Sequence, residues 1–294
     1  MLCKITELSR TQIYVHKKNP EIKKVGRPPP GFTINRDGVR IDDHVIVDRL
    51  KYYRAQLEYT NGGGVKKLSK YLIIDYGMYI NHKKIYRICR DKNLLLFREH
   101  DSRSRPKKKR CGYHDVTRPT QLWQFDLKYI WIHGENRWCF ILAFIDVFSK
   151  KVINYFVGQS IKSGDLIFTL NQALMKENIT TEHGLIIRSD NGSQMSSNKF
   201  HFYLKRLEQK LKHEFIPPRT PNRNAYIKSF FSILEAELIV PKYFFTYADV
   251  YSSVTRFIEF YNNRRIHGSI GYKSPKQFLE DHTNGLISAI RISA

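Results

Sequence analysis

Cysteine is scarce in this chain and unpatterned. Cys3, Cys89, Cys111 and Cys139 form no C-x-x-C pair, and no His/Cys run has the spacing of a zinc site. That excludes a disulfide framework and a zinc finger. No apolar run approaches the roughly 20 residues that span a bilayer, and the N-terminus does not read as a signal peptide. The expectation is a reduced, cytoplasmic protein with no membrane partner. Acidic residues are also few: 27 Asp and Glu face 50 Lys and Arg, a formal charge of +23. Such a surplus repels itself and holds a polyanion with salt-sensitive affinity. Nucleic acid is the leading partner; a ribosome-like structural role and an acidic membrane surface are the alternatives. What is present is ample apolar material, 41% of 294 residues with 13% aromatic, enough for one substantial domain and a smaller one.

The texture of the chain changes along its length. Residues 1–43 read as a basic arm with a possible short helix, broken by "GRPPPG", whose prolines cannot lie inside a helix. Residues 44–100 carry helical spacing, with Val45, Leu50, Tyr53 and Leu57 near one face of the first helix. Asn81 is a plausible N-cap for "HKKIYRICRDKNLL", which turns Ile85, Ile88 and Cys89 inward. Two short helices about Tyr76-Gly77 suit a helix-turn-helix, with Lys83, Lys84, Arg87 and Arg90 free to meet DNA. A small bundle with a solvated basic face is the alternative. Residues 101–118 form a basic linker; in "RSRPKKKR", Lys107, Lys108, Lys109 and Arg110 would touch phosphates without reading sequence. Residues 119–281 show three aromatic, β-branched runs, then helix and strand in alternation, with Ser163 as cap of the first helix and "NKFHFYLKRLEQKLK" as the second. The order β-β-β-α-β-α-β-α describes an α/β domain, a mixed sheet flanked by helices. Residues 282–294 are left as a tail.

Two aspartates occupy informative places in that order. Asp126 lies inside the first strand, where an unpaired buried carboxylate is costly. Asp190 ends the fourth strand, before the flexible Asn191-Gly192, and strand ends are where α/β sheets put ligand groups. If the strands are neighbours, two carboxylates converge and invite a hard divalent cation. An edge aspartate and a turn former are the alternatives for each taken alone. Asp146 reads as a supporting acid or a turn former. Trp123, Trp131 and Trp138 read as core or sheet-face aromatics.

The stretches "LWQFDLKYI", "FILAFIDVFSKKVINY", "IIRSDNGSQMSSNKF", "TPNRNAYIKSFFSILEAE" and "FIEFYNNRRIHGSIGYKSPKQF" together resemble a DDE transposase of the insertion-sequence-three family. The resemblance runs from His44 to Leu279 and takes in the helix-turn-helix. It implies a ribonuclease-H-like core similar to retroviral integrases, two Mg²⁺ (or Mn²⁺) ions, and cleavage and strand transfer at the ends of a mobile element. It makes Asp126 and Asp190 the first two metal ligands. The family's third ligand is a glutamate in N-A-x-x-E, and on "NAYIKSFF" that position is Lys228. An ordinary surface lysine in a shifted register is the alternative. A lysine there would pair with both acids and take the space of a metal, leaving this copy impaired. Asn191, Gly192 and Gln194 would shape the loop beside the site. Arg264, Arg265 and His267 would grip DNA phosphates, or else cap and pair between domains. Neither the zinc module of retroviral integrases nor leucine-zipper heptads are present, so the family's first-frame product would be a separate or fused partner. The expected partners are double-stranded DNA and further copies of the chain, associated with the nucleoid when bound. The alternative function is a non-catalytic DNA-binding relic or interfering partner of active relatives.

Overall fold

The computed structural model describes residues 30–56, 63–96, 114–190, 192, 194–216, 221–287 and 290–294. Most of the expected arm, the Lys107–Arg110 run and Asn191 lie outside the described residues. The chain divides into two compact units, 1–46 and 47–294. In the first, β1 (Phe32–Ile34) and β2 (Arg40–Asp42) form an antiparallel hairpin. No strand was expected there. The intervening Asn35-Arg36-Asp37-Gly38 closes it, with Gly38 at φ +76 and the Asn35 N–H donating to Val39 O at 2.8 Å. Helix α1 (Asp43–Gln56) begins in this unit and ends in the next.

In the second unit, α2 (Val65–Tyr76) stops at Gly77, whose left-handed backbone lets its N–H reach Ile73 O. Helix α3 (His82–Asp91) starts where Asn81 Oδ1 accepts the Lys83 N–H at 2.9 Å, and it buries Ile85, Ile88 and Cys89. This helical module is fastened by Tyr53, whose hydroxyl donates to the Asp75 carboxylate.

The larger body follows β3 (Asp115–Val116). Strands β4 (Leu122–Ile132), β5 (Arg137–Asp146) and β6 (Val152–Gly158) form an antiparallel meander. After α4 (Ser163–Lys176), β7 (Leu185–Ser189) returns beside β4 in parallel; after α5 (Asn198–Lys205), β8 (Leu211–Phe215) adds in parallel to β7. The sheet order is β6-β5-β4-β7-β8. Helix α6 (Ala225–Leu234) continues into a π-helical turn, Glu235–Ile239, and is followed by α7 (Tyr247–Asn263) and α8 (Pro275–Thr283). This is a ribonuclease-H-like α/β fold. Strand β9 (Ile292–Ser293) pairs with β3, so the expected tail and the end of the expected linker form a small two-stranded sheet.

Strand alternation sorts the residues onto two cores. Trp123, Phe125, Leu142 and Phe144 face α4 and α5 with Leu166, Leu170 and Phe200. Ile130, Ile132, Ile141, Ala143 and Ile145 face α6 and α7 with Phe230, Leu234, Val254 and Phe257. Trp123 is thus core, whereas Trp131 and Trp138 meet edge to face across the hairpin at 5.0 Å, Trp138 half exposed.

Two local expectations are corrected. Helix α5 ends at Lys205, not near Lys212, because Leu211 is taken by parallel pairing to Leu185 and the intervening residues close as tight turns. The cap of α4 lies at Lys162, one residue before Ser163; its N–H donates to the Asp165 carboxylate at 2.8 Å.

The β4–β5 turn admits no side chain at Gly134, where a Cβ would stand 2.3 Å from the backbone oxygen of Phe245. Gly134→Ala must displace that backbone. Chemical denaturation should show a loss of about 1–3 kcal/mol, the usual cost of overpacking.

Candidate active site

The site is built on the sheet face that carries α6. Parallel pairing sets Gln124 against Arg188, so two residues further on Asp126 and Asp190 fall beside each other on the same face. Asp190 stands one residue past the end of β7, as a strand-end ligand group would. The structure thus brings both acids to one rim.

Three buried side chains fix the helix opposite them. Gln124, wholly buried, accepts the N–H groups of Tyr226 (3.0 Å) and Ile227 (3.3 Å) through Oε1, and donates through Nε2 to Arg223 O at 2.9 Å. It therefore satisfies donors that the first turn of α6 would leave open. Asn224 Nδ2 donates to Phe125 O at 3.2 Å, and Arg188 reaches Arg223 O at 3.1 Å while pairing with Glu214. Lys228 comes one turn into α6 and lines the same cavity, of about 500 Å³, as Asp126, Lys128 and Glu235.

Electrostatics in this cavity run against Asp126. Burial is the main cause that lifts its carboxyl to about 6, and the charge of Asp190 adds to it. The Leu127 N–H, at 2.8 Å from Oδ1, and the Lys228 ammonium act the other way. Lys228 does not behave as expected. It is exposed and forms no ion pair among the described residues, because water competes for an ammonium that the cavity does not enclose. The ion pair in the cavity joins Lys128 to Glu235.

Other candidate residues divide clearly. Gly192 N–H donates to Asp190 Oδ1 at 3.0 Å, and a Cβ there would lie 2.9 Å from Met195 Sδ and 3.2 Å from that carboxylate, so glycine suits this loop. Gln194 O accepts from Ser197 Oγ, closing the turn before α5. Lys83 is exposed on α3, Lys84 and Arg87 are half-buried, and Arg90 pairs with Asp91. Asp146 is a turn former, fully buried and bound by the Ser149 N–H and hydroxyl and the Thr120 N–H.

The phosphate-gripping expectation for the C-terminal cations does not match their placement. Arg265 and His267 are buried. Arg265 makes two bonds to Glu237, at 2.9 and 2.6 Å, and donates to His267 Nδ1; burial and the Arg265 charge hold that imidazole well below its usual value, hence neutral. Arg264 pairs with Asp75, while Ile266 N–H donates to the Tyr71 hydroxyl at 3.1 Å. Asn262 binds both backbone groups of Val152 on the edge strand, at 2.9 and 2.8 Å. Arg265 is desolvated and held by Glu237, and His267 is buried and neutral; Arg264, though paired with Asp75, stays exposed. The sequence reading missed Gln124, Arg188 and the Lys128–Glu235 pair. Two-residue periodicity about Asp126 was the available signal for Gln124 and Lys128.

Comparison with known proteins bears on this geometry. Two integrase core domain families match, over residues 116–221 and 209–275, together more than half of the chain. The transposase for insertion sequence element IS904 of Lactococcus lactis is 30% identical over 164 residues, covering 55% of this chain and 62% of that protein. The putative transposase InsK for insertion sequence element IS150 of Escherichia coli is 28% identical, covering 51% of each. Residues 116–275 match an integrase core domain, and the chain is similar to transposases of insertion sequence elements. It spans about half to three-fifths of the length of the first curated relatives it matches. Among solved structures, the simian T-cell lymphotropic virus intasome matches with a TM-score of 0.47 and 16% identity, over 82% of this chain and 77% of that one.

Integrase cores are metal-dependent. Among the described residues no group of three His, Cys, Asp or Glu is placed to hold a metal. Two carboxylates with an exposed lysine lining the same cavity do not fit a two-ion site.

Two outcomes follow from the geometry. Gln124→Leu strands the N–H groups of Tyr226 and Ile227 in the interior, while Arg223 O keeps Arg188 as a donor, and should cost about 2–4 kcal/mol by denaturant titration. Asp126→Asn tests the carboxyl. Its folded value of about 6 exceeds the unfolded one near 4, so the charge destabilises the fold increasingly between those values and fully above 6. The variant should gain about 2–3 kcal/mol at pH 8 and almost nothing at pH 4. Equal gains at both pH values would show that the carboxyl is not held this way.

Proposed function

We propose that this chain is a transposase subunit that binds the DNA ends of a mobile element and is impaired in cleavage and strand transfer. The observation that carries the reading is Lys228, on a helix pinned to the strand of Asp126 and lining the same cavity. The charge of +23 supports a polyanionic partner, and the helical module offers Lys83, Lys84, Arg87 and Arg90 to double-stranded DNA. Lys107, Lys108, Lys109 and Arg110 add sequence-independent phosphate contacts. Pairing two ends calls for at least two copies, and a first-frame product is a further partner.

One related core, the catalytic domain of HTLV-2 integrase, is described in complex with magnesium. Mg²⁺ or Mn²⁺ ions at such a site activate the attacking oxygen and stabilise the leaving one. Here Asp126 and Asp190 supply carboxylates, and Lys228, whose ammonium has no lone pair to give a metal, supplies no ligand. The reading is therefore DNA binding with cleavage suppressed, compatible with a cytoplasmic, nucleoid-associated protein. A non-catalytic role, as a relic or as an interfering partner of active relatives, follows if suppression is complete.

The test is duplex binding together with nicking of supercoiled plasmid, with and without Mg²⁺ or Mn²⁺. The unmodified chain should bind in a salt-sensitive way and gain no nicking on metal addition. Lys228→Glu should gain metal-dependent nicking that Asp126→Asn in the same chain abolishes. Robust metal-dependent nicking by the unmodified chain would overturn the reading.

A further inference from the structure

A second concavity adjoins the acidic one, and its lining differs. This cleft, about 1280 Å³ in volume, opens between the starts of α2 and α3 on one side and the end of α6 with the segment after α7 on the other. Ser232 and Ala236 line both it and the cavity of Asp126 and Lys228, so the two are continuous along α6. Its walls are mainly apolar, with Ile233 on one side and the rings of Tyr86 and Tyr272 presented to it; Tyr86 is half exposed. Cations stand at its margin: Lys66 and Lys83 are both exposed. The carboxylate in the lining, Glu237, is neutralised by Arg265, so the cleft is net positive.

Tyr272 is held in an unusual way. Its φ is +59, a conformation that a bulky residue adopts at a cost, and its N–H is tied to His267 O at 2.9 Å. That strained backbone places an aromatic ring in the cleft wall, with the Lys70 ammonium 5.6 Å from its centroid. Aromatic faces bordered by cations are the recognition chemistry of an unpaired nucleic-acid strand, whose bases stack while its phosphates meet the charges. A duplex hides its base faces and offers only groove edges and phosphates, which leaves apolar walls without a partner.

We propose that this cleft binds single-stranded DNA, about four nucleotides of it, beside the acidic site. The assignment rests on the DNA-binding reading above and extends it to residues outside the acidic site: Lys66, Tyr86 and Tyr272.

The test uses the full chain and fluorescence anisotropy, with a labelled oligothymidylate of about eight nucleotides and, separately, a blunt duplex. The unmodified chain should bind both. Tyr86→Leu and Lys66→Gln, on exposed positions, should together weaken oligothymidylate binding about tenfold or more and weaken duplex binding far less. In the unmodified chain, 4-thiothymidine in the oligonucleotide should photocrosslink to the peptides that carry Tyr86 or Tyr272. Undiminished strand binding in the double variant, or crosslinks confined to other peptides, would overturn the proposal. Duplex binding without oligothymidylate binding would overturn the cleft and leave the transposase reading standing. Binding to neither would remove both.

Discussion

The side chain of Gln124 is the fastening on which the site depends. A helix start carries unsatisfied N–H groups, and a central strand carries side chains on alternate residues. Gln124 joins the two facts: it rises from β4 into the first turn of α6 and satisfies two of that helix's donors. Its own amide is then spent on Arg223 O, to which Arg188 also donates from the neighbouring strand. Because Asp126 is two residues from Gln124 and Lys228 is within a turn of Tyr226, this one contact fixes which helical residue faces the acid. The interior leaves it little alternative, since each of these polar atoms costs about 1–3 kcal/mol when buried without a partner.

Charge in the cavity is distributed with opposite sense on its two sides. The strand presents Asp126 and then Lys128; the helix presents Lys228 and, across the start of the π-helical turn, Glu235. The Lys128–Glu235 pair closes, whereas Lys228 stays in solvent and Asp126 stays partly buried beside Asp190. Desolvation, helped by a like charge, outweighs the Leu127 hydrogen bond and the ammonium, which is why the carboxyl is lifted and not depressed.

The segment after α7 makes the capping and pairing contacts that were the alternative reading of its cations. In "YNNRRIHG", Asn262 clips the edge strand β6, Arg264 meets Asp75 of the helical module, Arg265 neutralises Glu237, and His267 is buried behind them. Sequence shows a cluster of cations; only the tertiary contacts show that carboxylates from Asp75 and Glu237, far away in the chain, have claimed two of them. Arg265 and His267 are buried while Arg264 is not, and burial is a property of the assembled fold.

Strand and helix identities were therefore readable from local pattern: β4, β5 and β6 from β-branched and aromatic runs, α3 from Asn81 and its apolar face, and the mixed sheet from their order. The start of the helix that carries Lys228 was readable from its apolar spacing. The boundary between α5 and β8 was not, since Leu211 suits either element until Leu185 offers a partner, nor was the return of β9 onto β3. What the sequence determined by itself is whatever depends on neighbours along the chain: periodicity, caps, turns and net charge. What the tertiary structure alone decided is the meeting of side chains remote in sequence, Gln124 with α6, Asp126 with Asp190, and Arg265 with Glu237. Their energies arise only when folding removes water from between them.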